Sequence, residues 1–551
     1  MKPRIVIGYP PLPSFKGTPL LSQNRQFQYF HSPTYIYPMV PASSATLLST
    51  HSYDVHWIDG IAENQSYDEW IQSLGVVNPD ILMIETKSPV IKTHWEQIAH
   101  LKSLFPSLKI VLVGDHVSFL PLESFEKSKV DYVLTGGDYD FTIVDLANHI
   151  YRNKPLGGGV YWRNGNASLH TIPLNQHTLP TGEIIYSSGP PDLKHNLDTL
   201  PFIDRRLTKW ELYAYHNGNY KYKPGTYMYS GRDCWWNRCT FCVWVHTLNP
   251  IRSYRTFSPE RLFAEVKHVV DTFGVKEIFD DAGTLFIGPK LEKFCNLLIE
   301  SGYNKKVRYG CNMRFNALRN QKQYDLMTKA GFRFILFGME SANQKTLDKL
   351  DKGIKEEDII NGAKMATKAG LDPHVTIMLG YPWETYKDAK YTIDMAKYCF
   401  KKGYFNTMQA TIVIPYPGTP LWKECKEKNW LLTQDYNAYD MRKSVMKIPF
   451  SQKKLLNLIQ ELYSAFFSPQ YIVRQILQIR TKEDILFLFS AGKKLLGHFV
   501  DFDPNQTKSY FAFDSWLQMG NKFISHLLKN KTVIERSHDK ILLFDKKPVA
   551  S

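Results

Sequence analysis

The sequence predicts a protein of the α/β class, in which two strand–helix regions are followed by a helical C-terminal region. Short apolar strands alternate with helical stretches up to about residue 420, as in parallel sheets covered by helices. From about residue 430 the apolar periodicity is helical. A third observation locates the chemistry: three of the seven cysteines, Cys234, Cys239 and Cys242, fall within nine positions.

The composition is that of an ordinary folded protein. A chain of 551 residues, with 43% hydrophobic and 22% charged residues, has room for roughly two to four domains. The formal net charge of +15 is compatible with an anionic partner. Because the lysines are spread along the chain, a solvated surface explains the charge better than a nucleic-acid site does, and we expect no nucleic-acid partner.

The sequence contains no sign of a membrane span or of a disulfide framework. No apolar run reaches the roughly 18 residues of a membrane helix, and residues 1–11 have the pattern of a first strand rather than of a signal peptide. The cysteines are few and odd in number. Since free thiols are typical of a reducing compartment, we expect a cytoplasmic protein.

Residues 1–150 are predicted to form a doubly wound, Rossmann-like parallel sheet. Ligands of such sheets bind at the carboxyl ends of the strands, where this sequence has Gly114, His116, Gly136 and Gly137. Glycines there let a ligand approach the backbone closely, although ordinary tight turns explain them equally well. The five strands are expected near 4–8, 53–60, 78–86, 108–116 and 130–138.

Residues 225–425 repeat the strand–helix unit six times, which predicts a complete or partial (β/α)6 barrel of the TIM type. Its strands are expected near 226–231, 276–281, 307–315, 333–341, 374–380 and 407–415. Polar groups or glycines follow these strands so regularly that unrelated loops do not explain them. They are the three cysteines, Asp280, Asp281, Asn312, Arg314, Glu340, Ser341, the segment 380–384 and the segment 415–420.

Two further regions flank the barrel. Residues 151–224 include a stretch rich in Gly, Pro and Asn, and are expected to be a connector carrying a small hairpin. Residues 426–551 are expected to form a helical domain, with helices near 453–467, 470–479 and 483–500. The last two helices are basic and amphipathic. Packing against the barrel explains this pattern better than a membrane-surface role does.

Three interpretations of the cysteine segment remain open from its spacing. The thiolates could hold a 4Fe–4S cluster whose fourth iron binds a small molecule. Alternatively, His246 could complete a structural zinc site, or the thiols could simply be buried. The polar groups at the strand ends favour the cluster, since a zinc module does not explain them.

The motifs taken together resemble those of cobalamin-binding radical S-adenosylmethionine enzymes, over about residues 1–425. The barrel half matches through the cysteine segment, F-D-D-A-G-T-L-F, N-M-R-F-N-A-L-R, F-G-M-E-S, L-G-Y-P-W-E-T and P-Y-P-G-T-P-L. P-D-I-L-M-I-E-T, V-G-D-H and V-D-Y-V-L-T-G-G-D resemble the cobalamin-binding half, and L-D-T-L-P-F-I-D-R the connector. The resemblance implies a cobalamin domain over 1–150 and a radical barrel over 225–425.

The resemblance also implies roles for individual residues. Cys234, Cys239 and Cys242 would ligate the 4Fe–4S cluster, with S-adenosylmethionine on its open iron. Phe241 and Gly380 would lie near the adenine, and Glu340 and Ser341 would line the ribose side. Asp280 and Asp281 would lie near the substrate or the amino group. Cobalamin would contact Gly114, His116, Gly136 and Gly137.

Two features of the sequence depart from the family's pattern. Four residues rather than three separate Cys234 from Cys239, and a loop bulge could absorb the extra one. The string D-V-H-W-I-D-G at 54–60 differs in length from the cobalamin-ligating D-x-H-x-x-G, so His56 is not assigned as a ligand. Many members of the resembled family bind cobalamin without that histidine.

The expected function is that of a cobalamin-dependent radical enzyme, most simply a methyltransferase acting on an unactivated carbon. The resemblance implies that a deoxyadenosyl radical abstracts a hydrogen and that cobalamin supplies the methyl group. The expected substrate is a small or lipid-linked metabolite, and the expected electron donor is a flavodoxin or a ferredoxin. A cobalamin-assisted ring contraction or cyclisation is the alternative, and a zinc-bearing nucleic-acid-binding protein is the alternative of another class.

Overall fold

A computed structural model describes residues 2–21, 27–30, 33–164 and 173–502. Its N-terminal part is a sheet of eight strands in the order β2-β1-β3-β4-β5-β6-β8-β7. The strands are β1 Arg4–Tyr9, β2 Asp54–Asp59, β3 Ile81–Glu85, β4 Lys109–Val113, β5 Tyr132–Leu134, β6 Val160–Arg163, β7 Asn175–Thr178 and β8 Ile184–Ser187.

Helices cover both faces of this sheet, because β1, β3 and β4 are apolar along nearly their whole length and are buried. The first five strands are parallel, as predicted, and the last three are antiparallel. The helices are α1 Met39–Thr50, α2 Tyr67–Val77, α3 Ile91–Leu104, α4 Asp115–Phe119, α5 Pro121–Lys127 and α6 Tyr139–Arg152.

The predicted hairpin of the connector is present as β7 and β8. It continues the N-terminal sheet through β6 and is not a separate small unit. Antiparallel strands need only short turns, so a connector can extend a parallel sheet at its edge without a further helix. The connector then passes through the short helix α7 Glu211–Ala214 into the second sheet.

The second sheet contains six parallel strands in sequence order, from β9 to β14. They are β9 Gly225–Met228, β10 Glu277–Asp280, β11 Arg308–Met313, β12 Phe332–Glu340, β13 Asp372–Leu379 and β14 Thr407–Ile412. Since β9 and β14 do not pair with each other, the barrel is partial, which is one of the two forms predicted.

Capped helices connect the barrel strands. The side chain of Ser258 accepts from the backbone N–H of Arg261 and Pro259 follows it, a combination that favours the start of a helix. These helices are α8 Val243–Thr247, α9 Pro259–Phe273, α10 Pro289–Glu300, α11 Tyr303–Lys306, α12 Gln321–Lys329, α13 Gln344–Lys349, α14 Glu356–Lys368, α15 Tyr386–Lys401 and α16 Pro420–Glu427.

The C-terminal region is helical as far as it is described, with α17 Gln452–Ser464, α18 Pro469–Gln478 and α19 Lys482–Asp501. Helix α17 buries its leucines against the barrel. The sequence predicts such packing for the two helices that follow it. Helix α18 instead exposes several apolar side chains, among them Ile476 at 60% and Leu477 at 64%. Residues 503–551, which complete the predicted helical domain, lie outside the described residues.

A single apolar core joins the two sheets, and a smaller one lies on the other face of the first sheet. Within the described ranges, no helix has both the length and the apolar character needed to cross a membrane.

Candidate active site

A cavity of about 650 Å³ runs through the partial barrel. All three clustered cysteines line it, and so do Asp281 and Glu340 at the carboxyl ends of the strands. Parallel strands bring residues that follow them to one rim, which is why side chains so distant in sequence meet here. The cavity is large enough for a small-molecule cofactor and a substrate.

The cysteine segment begins directly after β9. Gly231 and Arg232 pair with residues 255–256 in a short antiparallel ladder, which fixes the start of the segment. Two of its residues, Asp233 and Asn237, have left-handed backbone conformations with φ of 69° and 48°. Such residues turn a chain tightly, and these two lie directly before Cys234 and within the loop between Cys234 and Cys239.

The longer loop between Cys234 and Cys239 is held from outside by Trp236. The indole N–H of Trp236 donates to the carbonyl of Asp351 at 2.6 Å. The ring lies directly on Gly353, where any Cβ would overlap it. The loop is therefore anchored to the turn after α13, a contact that sequence spacing does not reveal.

The three thiols have unequal surroundings. Cys239 is buried, whereas Cys234 and Cys242 are partly exposed to the cavity. Burial raises the pKa of the Cys239 thiol to about 11, although Lys352 and Arg314 oppose this rise. A metal at this position would favour the thiolate over the thiol. In the described part of the chain, no three His, Cys, Asp or Glu side chains converge as a ready-made metal site.

The donor set fits a three-thiolate cluster better than the zinc alternative. The Nε2 atom of His246 lies 3.1 Å from the carbonyl oxygen of Cys239 and donates to it, because a carbonyl can only accept. The Nε2 atom therefore cannot bind a metal, and a zinc site would need the Nδ1 atom instead. Three thiols that line an open cavity leave space for a small molecule beside a cluster.

The paired aspartates divide into one structural and one cavity residue. Asp280 is 1% exposed and accepts from the backbone N–H groups of Ser230 and Ala282 and from the hydroxyl of Tyr309. It does not line the cavity. Asp281 does, and its carboxylate accepts from Asn312 at 2.7 Å. Of the two predicted catalytic residues, only Asp281 is in a position to touch a ligand.

Glu340 lies at a bulge at the end of β12, where its φ of 62° turns the side chain into the cavity. Its Oε1 accepts from the ammonium group of Lys352 at 2.7 Å, and both side chains are buried. Lys352 is a site residue that sequence reasoning missed, because it lies in an ordinary turn after α13. Its ion pair holds Glu340 against the wall beside Phe241, whose ring is 5.8 Å from the Lys352 ammonium.

Ser341 and Gly380 lie behind the cavity wall and do not line it. The hydroxyl of Ser341 donates to Glu384 at 2.8 Å, and burial raises the pKa of Glu384 to about 7. Gly380 has a φ of 94° and is packed near Leu455 of α17. Both residues support the rim in this structure. Their predicted contacts with S-adenosylmethionine stay predictions.

Arg314 lies over the cysteine loop. Its guanidinium stacks on Trp236, 4.4 Å from the ring centroid, and donates to the backbone carbonyl of Lys352. Burial lowers its pKa, although the Cys239 and Cys234 thiols oppose that shift. Arg314 and Lys352 thus place two cations beside Cys239, where they would stabilise a cluster that carries negative charge.

The four predicted N-terminal residues contact other parts of the chain. The ring of His116 hydrogen-bonds to Ser88 through Nδ1 at 2.9 Å and to Glu123 through Nε2 at 3.1 Å. Gly114 has a φ of 123° and lies on the carbonyl of Thr86, and only glycine fits so close an approach.

Gly136 and Gly137 face the connector and the barrel. Gly136 packs on Pro191, and the backbone of Gly137 donates to Leu248 at 2.7 Å and accepts from Arg232 at 2.7 Å. In this structure the two glycines allow close contact between protein segments. Their predicted contact with cobalamin stays a prediction.

A buried charge network beside these glycines joins the two sheets. Asp138 accepts two hydrogen bonds from Arg255, at 2.6 and 2.8 Å, and one from His195 at 2.8 Å. Arg232 donates to the neighbouring Asp140 at 2.6 Å. Burial raises the pKa of Asp138, but His195, Arg255 and Arg232 outweigh it, so the net shift is downward. The sequence pattern did not indicate this network.

Comparisons with known proteins agree with this geometry. Residues 228–396 match the family model of the radical SAM superfamily. An uncharacterized methyltransferase of Pyrococcus horikoshii is 25% identical over 433 residues, which are 77% of this chain and 87% of the relative. An anaerobic magnesium-protoporphyrin IX monomethyl ester cyclase of Cereibacter sphaeroides is 23% identical, over 75% of this chain and 64% of the relative.

Two solved structures have the same fold at low sequence identity. The radical S-adenosylmethionine methyltransferase TsrM of Kitasatospora setae, with cobalamin and a 4Fe–4S cluster bound, aligns with a TM-score of 0.56 at 15% identity over 78% of each chain. The cobalamin-dependent S-adenosylmethionine radical enzyme OxsB aligns with a TM-score of 0.61 at 15% identity, over 94% of this chain and 75% of that one. Residues 228–396 therefore form a radical SAM domain, and the chain has the fold of these two solved enzymes.

Proposed function

We propose that the protein is a cobalamin-dependent radical S-adenosylmethionine methyltransferase that acts on an unactivated carbon of a small or lipid-linked metabolite. The observation that carries the proposal is the cavity itself. Three clustered thiols line the same cavity as Asp281 and Glu340, inside a partial barrel with largely apolar walls. Such walls exclude water, and a reactive intermediate is short-lived without that protection.

The chain's residues have separate roles in this proposal. Cys234, Cys239 and Cys242 hold the 4Fe–4S cluster, which supplies an electron to S-adenosylmethionine when both are bound. Phe241 and Glu340 line the cavity beside the cysteines and bind S-adenosylmethionine. Asp281 faces the same space and orients the substrate or the amino group. Ser341 and Gly380 support the wall from behind.

Two findings support cobalamin as a cofactor. The chain has the fold of TsrM, whose structure contains cobalamin, and its relatives include named methyltransferases. Both ring nitrogens of His116 are engaged by Ser88 and Glu123, so we assign it no ligand role toward cobalt.

The proposed reaction also needs a source of electrons. A low-potential cluster needs a reducing partner, and we propose a flavodoxin or a ferredoxin in the cytoplasm.

Radical cyclisation is the second candidate, favoured only by the resemblance to the magnesium-protoporphyrin monomethyl ester cyclases. Their sequences match this chain less well than that of the Pyrococcus methyltransferase does.

The test is reconstitution without oxygen with iron, sulfide and hydroxocobalamin, followed by incubation with methyl-labelled S-adenosylmethionine, dithionite and a cell extract as the source of substrate. A methyltransferase transfers the label into a product. A cyclase forms 5′-deoxyadenosine without incorporating the label. A protein that binds cluster and S-adenosylmethionine but retains no cobalamin would refute the cobalamin part of the proposal alone.

A further inference from the structure

The cavity extends far beyond the residues that a cluster and S-adenosylmethionine need. Its lining includes Glu340 at the carboxyl end of β12 and Phe334 near the amino end of the same strand. The two residues are six positions apart along the strand, which is roughly 20 Å at about 3.3 Å per residue. The lining also includes His374, near the start of β13, and Thr407, the first residue of β14. The cavity thus spans the length of the barrel.

The half of the cavity away from the cysteines is lined mainly by apolar side chains, and no acidic group of the described residues lines it. Both carboxylates in the lining, Asp281 and Glu340, lie at the carboxyl ends of the strands. The apolar lining of the other half includes Phe30, Ile36, Phe334, Met408, Phe487 and Leu488.

The polar groups in this half are largely paired within the protein. Gln409 donates to Gln28 at 2.9 Å, and His374 hydrogen-bonds to Thr407 at 2.8 Å. Burial lowers the pKa of His374 to about 4, so its ring is neutral near pH 7. A substrate in this half therefore meets an uncharged surface over most of its length.

Lys494 of α19 is the exception. It lines the cavity at the end opposite the cysteines, and no described carboxylate forms an ion pair with it. Its ammonium lies against Gly218, where any Cβ would overlap it, and 5.9 Å from the ring of Phe30. Asp484, at the start of the same helix, is paired with Lys221 instead. Burial, together with the charge of Lys223, lowers the pKa of Lys494 to about 7, and an anionic ligand would reverse this shift.

The mouth of the cavity is also apolar. Phe467, Ile472 and Ile476 belong to the lining, yet they are 53%, 44% and 60% exposed. These side chains give an apolar molecule a continuous path from the surface into the barrel. A fully polar substrate would gain nothing from them.

We propose that the cavity takes an amphiphilic substrate, with a long apolar body along the barrel and one anionic group, a carboxylate or a phosphate, held by Lys494. This inference rests on the proposed function for the reaction itself. It implies that the carbon modified at the cysteine end lies roughly 15–20 Å from the anionic group, the length of the barrel strands.

Ligand binding tests this inference without catalysis. Full-length protein carrying its cluster is titrated with cis-parinaric acid, a fluorescent long-chain carboxylate, and with its uncharged methyl ester. We expect the acid to bind about 10-fold or more tightly than the ester, since a charged hydrogen bond contributes that much. Lys494→Met should abolish the preference and leave the ester's affinity unchanged, while Lys494→Arg should retain it.

Lys493→Met is the matched control, because Lys493 lies on the same helix and does not line the cavity. Displacement of parinaric acid by farnesyl monophosphate but not by farnesol identifies phosphate as the anchor. Displacement by long-chain acids alone identifies carboxylate. Equal affinity for acid and ester, or a preference that survives in Lys494→Met, would overturn the inference. Because iron content and label transfer are measured separately, either proposal can fail while the other stands.

Discussion

At the scale of residues, Asp280 and Asp281 show how two identical neighbours acquire different roles. The strand β10 ends between them, so their side chains point to opposite sides of the barrel wall. Asp280 satisfies two backbone N–H groups and the Tyr309 hydroxyl, and burial raises its pKa. Asp281 faces the cavity. The sequence alone could not separate these roles, because the separation depends on which side of the strand each residue faces.

We predict that Asp280→Asn destabilises the fold by about 1–3 kcal/mol, because an amide cannot accept all the hydrogen bonds that the carboxylate accepts. Asp281→Asn should leave the melting temperature within error and reduce turnover instead. Thermal denaturation and product formation, measured on both variants, check this division. A stable but inactive Asp280→Asn protein would contradict it.

At the scale of elements, the cysteine loop depends on the turn after α13. The ring of Trp236 occupies the space beside Gly353, and Arg314 stacks on the same ring. The sequence showed that the loop had one residue more than the pattern of the resembled family. It could not show which distant turn supports that residue, because the contact is tertiary.

We predict that Gly353→Ala lowers the iron retained after reconstitution at least about threefold, because the added methyl displaces Trp236 and with it the loop that carries the cysteines. Iron analysis and the absorbance of the cluster measure the effect. Gly274→Ala is the matched control, since Gly274 has a φ of 64° against 62° for Gly353 but open space around it. Equal iron loss in both variants would mean that backbone strain, and not the contact with Trp236, causes the loss.

The charge network of Asp138, also at the scale of elements, makes the stability of the protein depend on pH. Asp138 has a lowered pKa, so its contribution to stability is present above its unfolded pKa of about 3.9 and is lost on acidification. The hydrogen bond that His195 donates to Asp138 raises the pKa of His195 against the effect of burial. The contribution of His195 is therefore present below its unfolded pKa of about 6.5 and is lost as pH rises through the folded value.

We therefore expect Asp138→Asn to cost about 3–5 kcal/mol, with the largest loss between about pH 4 and pH 6.5. The measurement is the difference in melting temperature between the wild type and the variant at each pH. Asp54→Asn is the control, because Asp54 pairs with His56 at 3.1 Å on the exposed surface. A pH-independent difference for Asp138→Asn would show that its charge does not stabilise the junction.

At the scale of the whole molecule, periodicity predicted the two sheets and the helical end, because strand and helix periods are local properties. All six predicted barrel strands are present, with ends within a few residues of those expected. The sequence could not predict the contacts between distant segments. Asp138 accepts hydrogen bonds from His195 and Arg255, which lie 57 and 117 positions away along the chain. Lys494 belongs to the C-terminal helices and yet lines the cavity of the barrel.

The central claim is that the three clustered cysteines hold a cluster that reduces S-adenosylmethionine. Its most direct test is iron content and 5′-deoxyadenosine formation under dithionite, in the wild type and in Cys239→Ala, without oxygen. We predict about four irons per chain and 5′-deoxyadenosine from the wild type, and loss of both in the variant. Cys295→Ala, which removes a buried cysteine away from the cavity, should retain both. A wild-type protein that binds zinc, takes up no iron and forms no 5′-deoxyadenosine would contradict the claim.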